Sequence, residues 1–322
     1  MKKRMYLDAV IKRLYLKALN NRLYFNDLNK RAIKCITPVF FSLCLLMLAG
    51  GCGKSVDPGN WTVTPYKPEP KPKEVIEKAS RNFKVMSINM NLRNNVAGFE
   101  AMKNYIKEYD PDFVFLRQVD SATTRSNKID RPGEIAKALG MKGFFKNNMD
   151  YQTGGFGNAV FSKFPIKSEF SKLLNRTPSE AAERRSFVML KVEVEPGKEV
   201  YFAGTELDPS KVEDRKLQVA DITAITDGID MPLVFVGNLN EQEAAKGPVL
   251  EALKRSFSFG CLGEGCIWNA PKAKPNGVYD YIMFKDKSRN LSLVSYGTFP
   301  KSENTFLPMV AEFKLDLKNE KK

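Results

Sequence analysis

The sequence contains no histidine among its 322 residues. This absence excludes every site built on imidazole, which covers zinc–histidine sites, serine–histidine triads and histidine acid–base pairs. Cysteine and tryptophan are also scarce, with five and two residues respectively. Cys261 and Cys266 enclose four residues. Because no histidine or further nearby cysteine could complete a metal site, this spacing predicts a small disulfide loop in an exported protein.

The composition, with 43% hydrophobic and 27% charged residues, is that of a globular chain with one large domain or two ordinary ones. The net charge of +14 is uneven. Residues 1–51 contribute +8 from ten Lys/Arg and two acidic residues, and the rest of the chain contributes only +6 from 41 and 35. The charge of the main part of the chain therefore gives no strong argument for a nucleic-acid partner.

An almost uncharged apolar run covers residues 36–51 and follows a basic leader. The run is short for a membrane span but suits the core of a signal peptide. Small residues lead from it into Cys52, and this junction resembles a bacterial lipoprotein signal, although Ala49 stands where that signal has leucine. The resemblance implies lipidation of Cys52 and anchoring in the bacterial cell envelope, facing the periplasm or the exterior. A plain signal peptide or membrane anchor is the alternative.

Prolines crowd the segment that follows Cys52, which favours an extended tether. The tether could instead pack on the domain around Trp61 and Tyr66. The sequence therefore predicts four segments: a leader and signal peptide (1–51), a Pro-rich tether (52–82), a globular domain (83–317) and a basic tail (318–322).

Two stretches of the globular domain read as buried strands that end in polar residues. Residues 200–203 and 233–236 are apolar, and residues 204–208 and 237–240 then turn polar. Chemistry in α/β proteins is usually found at such strand ends. These two ends are therefore the first place to look for a site.

Apolar periodicity predicts further elements along the domain. Strands are expected over residues 84–90, 112–116, 158–161, 185–194, 200–205, 233–237, 279–284, 291–296 and 309–315, and helices over 96–108, 132–139, 211–227 and 244–254. Apolar and polar residues alternate along the strand at 185–194, which predicts that one of its faces is exposed to solvent. Strands outnumber helices and mix hairpin with crossover connections, which favours a two-layer β core with helices outside.

Several short motifs occur in an order that is known from one family. They cover residues 85–89, 110–114, 116–120, 151–165, 183–185, 204–208, 237–240, 280–282 and 304–308. Together they resemble the endonuclease/exonuclease/phosphatase family, which has the DNase I-like fold, over about residues 83–317. The resemblance implies an α+β fold, a four-layer α/β/β/α sandwich in which two packed mixed β-sheets are flanked by helices.

The resemblance also implies metal-dependent hydrolysis of phosphate esters, with Mg²⁺ or another divalent cation as cofactor. Several residues depart from the family's pattern. Gln118 replaces a glutamate that holds the cation, Glu206 replaces the first histidine, and Asn238 replaces the aspartate that orients water. Thr305 and Phe306 replace the terminal Asp–His pair. Four residues match the family's pattern at the metal site, the catalytic centre or the first loop. They are Asn89, Asn240, Asp280 and Arg125.

These replacements have direct chemical consequences. Gln118 is a weaker ligand for a hard cation because it is neutral. Asn238 cannot take a proton from water, and Glu206 repels a phosphoryl oxygen unless a cation lies between them. We therefore expect a degenerate site without a resident cofactor. Candidates for contact with a phosphate-containing or other ligand are Arg125, Asn158 and Arg184.

Simpler roles remain open for several of these residues. Asn89, Asn240 and Asp208 could only cap turns at the strand ends. Residues 183–185, Glu-Arg-Arg, could form a solvated strip of ion pairs.

The leading hypothesis is an exported lipoprotein whose domain is a non-catalytic binding or accessory module, that is, a pseudoenzyme. One alternative is a divergent phosphodiesterase or phosphatase with a cation site rebuilt from Glu206, Asp208, Asp120, Glu241 and Asp280. Another is a surface module that binds glycan or peptide through Trp61, Tyr66 and Trp268.

Overall fold

The computed structural model describes residues 79–178, 183–242, 247–263, 266, 269–270 and 277–318. The signal segment, Cys52 and most of the tether, with Trp61 and Tyr66, lie outside the described residues, as does Trp268. Among the described residues, no helix combines the length and apolarity that crossing a bilayer requires.

Twelve strands and four α-helices make up the described fold. The strands are β1 Ser80–Asn89, β2 Phe113–Ser121, β3 Lys142–Tyr151, β4 Gly154–Ser162, β5 Ile166–Leu173, β6 Ser186–Glu195, β7 Lys198–Glu206, β8 Leu233–Asn238, β9 Ser258–Phe259, β10 Asp280–Lys285, β11 Leu291–Thr298 and β12 Met309–Asp316. The helices are α1 Val96–Tyr109, α2 Arg131–Leu139, α3 Val212–Thr226 and α4 Pro248–Leu253.

The strands form two six-stranded sheets, in the orders β11-β12-β1-β2-β4-β3 and β5-β6-β7-β8-β10-β9. Each sheet contains one parallel pair, β1–β2 in the first and β7–β8 in the second, and its other neighbours are antiparallel. Helix α1 connects the first parallel pair and α3 connects the second. Both sheets are therefore mixed, as the sequence predicts.

Three apolar clusters account for the layers. The largest lies between the two sheets and includes Phe113 of β2 and Phe202 of β7, whose rings stack at 4.9 Å between centroids. A second cluster joins the outer face of one sheet to α3 and α4, and a third joins the other sheet to α1 and α2. The expected four-layer α/β/β/α sandwich is thus the observed fold.

Some local predictions need correction. Strand β6 is buried on both faces from Ser186 to Leu190, because one face meets the other sheet and the other meets the helices, and it alternates only afterwards. The helix expected over 244–254 is described only as α4, because residues 243–246 lie outside the described residues. The edge strands β3 and β5, rich in exposed polar residues, were not predicted.

The contact between the sheets depends on one small residue. A Cβ atom on Gly204 of β7 would lie 2.2 Å from Cδ2 of Phe115, a fully buried residue of β2. Such a contact cannot form in a close-packed core without displacing one of the two sheets. Gly204 therefore sets how closely the sheets approach each other beside the strand end at Glu206.

We predict that Gly204→Ala lowers the free energy of unfolding by about 1–3 kcal/mol, as overpacking of a core does. Gly228→Ala is the matched control, because a Cβ at Gly228 would meet no atom within 4 Å. That control should change stability by less than about 0.5 kcal/mol. Urea unfolding of both variants gives the comparison, and equal stabilities would contradict this account of the sheet contact.

Candidate functional site

The polar strand ends meet at one edge of the sandwich. In the sheet that contains β7, the register places Glu206 beside Asn238, and Asn238 beside Asp280 of β10. In the other sheet, Asn89 of β1 lies beside Arg117 of β2. The two parallel pairs, one in each sheet, thus bring their carboxyl ends to a common site, where α/β folds usually bind ligands.

Arg117 occupies the centre of this site and is buried, with 1% of its surface exposed. Its Nε and Nη2 atoms donate to the two carboxylate oxygens of Asp280, at 3.1 and 3.2 Å. Its Nη1 atom donates to Oε1 of Glu206 at 2.8 Å. A single guanidinium therefore joins the two carboxylates, and its planar fork suits this geometry better than a lysine would.

A β-bulge in β2 allows this arrangement. The pairing of β2 with β4 shifts between Leu116 and Val119, and Gln118 within the shift has a φ of 58°. Successive side chains of a regular strand point to opposite faces, and a bulge breaks that alternation. Arg117 and Gln118 can therefore both contact the same carboxylate, and Gln118 Nε2 donates to Glu206 Oε1 at 2.6 Å.

Glu206 is also bound on its other oxygen. Arg185 Nη1 donates to Glu206 Oε2 at 2.9 Å and lies 3.2 Å from Oε1 of Glu183. Arg185 is itself buried. The hypothesis of a solvated strip of ion pairs at residues 183–185 is therefore wrong for Arg185, because its charge balances a buried carboxylate. Arg184, in contrast, is exposed.

Asp280 and Phe306 complete the surroundings of Arg117. Asn269 Nδ2 donates to Asp280 Oδ2 at 2.6 Å. The Phe306 ring covers the Arg117 guanidinium, with 4.4 Å from Cζ to the ring centroid, as in cation–π contacts. Phe306, which replaces a family histidine, thus seals the ion pairs from one side, while its neighbour Thr305 is exposed.

Three of the polar side chains at the strand ends cap turns, and a fourth, that of Asn240, does not. Asn89 Oδ1 accepts from the Asn91 amide at 2.8 Å, and Asn238 Oδ1 accepts from the Asn240 amide at 3.0 Å. Asp208 Oδ1 accepts two amides, those of Ser210 and Lys211. Asn240 Nδ2 donates to the Leu207 carbonyl at 2.8 Å. The turn-capping alternative therefore accounts for Asn89 and Asp208, and Asn238 also caps a turn, whereas the side chain of Asn240 joins two separate segments.

The donor set at this site does not fit the divalent cation that the family fold implies. A positively charged guanidinium already lies between Glu206 and Asp280, and Gln118 turns its amide nitrogen, not its oxygen, toward Glu206. Asn238 Nδ2 is buried and finds no partner among the described residues. A hard cation needs oxygen ligands with free lone pairs, so these residues offer it no place.

The carboxylates proposed for a rebuilt cation site are dispersed. Asp120 pairs with Arg125 at 2.9 Å and lies 3.7 Å from Arg131. Asp208 caps a turn, and Glu241 accepts the Leu250 amide at the start of α4. Across the residues that the structure describes, no group of three or more Asp, Glu or Cys side chains is arranged to hold a metal. The rebuilt site is therefore not assembled in this structure.

A cleft of about 510 Å³ opens beside the ion pairs. Two of the three ligand candidates, Arg125 and Arg184, line it together with Gln118. The third, Asn158, is buried and donates to the carbonyl and hydroxyl oxygens of Ser186, so it joins the two sheets instead. Away from the cleft, Cys261 and Cys266 form the predicted disulfide.

Sequence reasoning missed Arg117 and Arg185, which neutralise the site. A signal was present: Glu206 introduces a negative charge where the family has histidine, and a buried charge needs a partner of opposite sign. Arg117 directly precedes Gln118 in the motif that resembles the family. Arg117 was therefore a candidate for the positive charge that balances Glu206.

We predict that Arg117→Gln lowers the free energy of unfolding by about 3–5 kcal/mol, because it leaves the buried Asp280 without a cation and Glu206 with Arg185 alone. Millimolar Ca²⁺ or Mn²⁺ should restore part of this loss by binding to the native state of the variant. Urea unfolding with and without the ion measures both effects.

Arg81→Gln is the matched control for this prediction, since Arg81 pairs with Glu195 at 3.1 Å in a partly exposed position. It should cost no more than about 1 kcal/mol and show no response to the ions. If Arg117→Gln does not fold, Arg117→Lys, which keeps the charge but loses the fork, should show an intermediate loss. Wild-type stability in both Arg117 variants would contradict the assigned role.

Comparison with known proteins points to one family. Residues 82–258, more than half of the chain, match the family model described as the PGAP2IP C-terminal nuclease-like domain. No curated protein sequence gives a significant match.

Solved structures agree on the fold. An endonuclease/exonuclease/phosphatase family protein from Bacteroides thetaiotaomicron superposes with a TM-score of 0.59 at 14% identity, covering 74% of this chain and 99% of that one. A mannosyl-6-phosphatase from the same organism gives 0.56 at 14%, covering 72% and 99%. The catalytic domain of human Nocturnin gives 0.55 at 16%, covering 72% and 94%.

At these identities the structural likeness establishes the fold, and the family model establishes descent. The chain therefore belongs to the endonuclease/exonuclease/phosphatase family, through a domain that matches the PGAP2IP C-terminal nuclease-like domain.

Proposed function

We propose that this chain is an exported lipoprotein whose endonuclease/exonuclease/phosphatase-type domain is a non-catalytic binding module. The observation that carries the proposal is the Arg117 guanidinium between Glu206 and Asp280, in the site where family members bind a divalent cation. The positive charge of Arg117 repels a second cation, and its N–H groups occupy the carboxylate oxygens that a metal would need.

The remaining residues support the same conclusion. A general acid or base in a hydrolase must exchange a proton with the substrate or water near neutral pH. Asn238 and Gln118 are neutral amides, Phe306 carries no exchangeable side-chain proton, and the sequence has no histidine. Gln118, Asn238 and Phe306 are each similar in volume to the family residue that they replace. The sandwich can therefore persist after the catalytic groups are lost.

The proposed location in the cell envelope rests on the sequence before the domain. The apolar run of residues 36–51 and Cys52 supply a signal and a lipidation site, and the Pro-rich tether would hold the domain away from the membrane surface. A module of this kind binds its ligand at the membrane without transforming it.

We expect the full-length chain in detergent to bind no Mg²⁺, Mn²⁺ or Ca²⁺ at millimolar concentrations and to hydrolyse neither bis-p-nitrophenyl phosphate nor p-nitrophenyl phosphate. Calorimetry and absorbance assays on one preparation measure both properties. Cation-dependent turnover that is lost in Glu206→Gln would overturn the proposal and identify a divergent hydrolase. Glu251→Gln is the matched control, because Glu251 is an exposed residue of α4. Turnover that survives both substitutions unchanged indicates a contaminating phosphatase.

The lipid anchor has its own test. We predict that Cys52→Ser abolishes incorporation of a labelled fatty acid and moves the exported chain from the membrane to the soluble fraction. Cys35→Ser is the matched control, since Cys35 precedes the apolar run and would be removed with the signal peptide. Equal labelling of wild type and Cys52→Ser would contradict the assignment.

A further inference from the structure

The cleft beside the ion pairs is lined mainly by cations and aromatic rings. Its lining contains four arginines, from four separate segments of the chain, and one carboxylate. The lining residues that the following argument uses are Arg93, Arg125, Arg176, Arg184, Tyr151 and Glu183. Its volume of about 510 Å³ falls within the range of small-molecule sites.

Two of the arginines present unneutralised charge. Arg93 follows β1, and Arg184 precedes β6; both are exposed. Neither side chain forms an ion pair within the part of the chain that the structure describes. Two positive charges at one cleft favour the binding of an anion, because the guanidinium group of arginine pairs well with oxyanions.

Arg125 differs from these two because it is held in place. Its Nε atom donates to both carboxylate oxygens of Asp120, at 2.9 and 3.1 Å. Its guanidinium stacks on Tyr151, with 4.4 Å from Cζ to the ring centroid. Arg125 and Tyr151 thus form a rigid wall of the cleft, and a preorganised wall lowers the entropy cost of binding.

Glu183 is the one carboxylate in the lining, and its side chain is 27% exposed. The pKa of Glu183 is raised to about 7, chiefly by burial; the charges of Arg185 and Arg125 oppose this rise, and those of Glu206 and Asp208 add to it. The charged groups that line the cleft or act on Glu183 are Arg93, Arg125, Arg176, Arg184, Arg185, Glu206 and Asp208, and Arg125 is itself paired with Asp120. Arginine stays charged at all relevant pH values, so Glu183 is the group that can change the charge of the lining.

We propose that this cleft binds a sugar-sized ligand carrying at least two oxyanion groups, and that protonation of the Glu183 carboxylate strengthens this binding. The inference deepens the proposed function and rests on it, since it names the ligand class of the binding module. At low pH the neutral Glu183 leaves the positive charge of Arg93 and Arg184 unopposed. At higher pH the ionised carboxylate repels the ligand, so affinity falls as pH rises.

Sucrose octasulfate is the probe for the pH dependence, because its sulfate charges do not titrate near neutrality. We expect the full-length wild-type chain to bind it about tenfold more weakly at about pH 8.5 than at about pH 5.5, at constant ionic strength. Glu183→Gln should keep the tight affinity at both values, with less than about a twofold change. Calorimetry gives the dissociation constants.

Charge-deletion variants locate the binding. Arg93→Ala and Arg184→Ala should each weaken binding about five- to tenfold. Lys314→Ala, which removes an exposed charge from β12, should change the affinity by less than about twofold. Trigalacturonate and glucose 1,6-bisphosphate, compared at one pH, distinguish a carboxylate-bearing from a phosphate-bearing ligand.

Three results would overturn the inference: no binding of any of the three oxyanions, equal effects of Arg184→Ala and Lys314→Ala, or a pH dependence that persists in Glu183→Gln. None of them depends on divalent cations or turnover. A failure of the cleft as an anion site is therefore distinguishable from a failure of the non-catalytic assignment, which the hydrolysis assay alone decides.

Discussion

Two carboxylates, those of Glu206 and Asp280, are buried on either side of Asn238 at the edge of the sandwich, and this burial requires a cation. Arg117 supplies that cation from within the chain. The bulge in β2, the ring of Phe306 and the second arginine, Arg185, all follow from the same need to pair charge where water is excluded. Each of these two carboxylates is thus paired with an arginine of the same chain.

The fold explains why these ion pairs could replace a metal without loss of the domain. The site lies where one parallel strand pair in each sheet ends, and the strands are held by the apolar layer between the sheets. That layer consists of apolar side chains, which take no part in the ion pairs. The apolar layer between the sheets therefore stabilises the domain separately from the charges at the strand ends.

The sequence predicted the fold well because its central strands are strongly apolar and its motifs occur in family order. It also predicted that Glu206, Asn238 and Asp280 belong to one site. It did not predict Arg117, because strict alternation along β2 would point Arg117 and Gln118 to opposite faces. The positive φ that breaks the alternation occurs at Gln118. A glycine there would have indicated the bulge in the sequence, but a glutamine does not. The edge strands β3 and β5 escaped notice because edge strands keep many polar side chains.

The hydrogen bond from Gln118 to Glu206 also constrains how this protein can change over evolutionary time. Restoring the family glutamate at Gln118 first would press a second carboxylate against Glu206, across a contact of 2.6 Å. Replacing Glu206 first would leave one arm of Arg117 buried without an acceptor and Arg185 with Glu183 as its partner. Both of these single steps toward the family's pattern therefore pass through a less stable chain. Under the proposed function, selection on stability alone would therefore keep an arginine in the place of a metal.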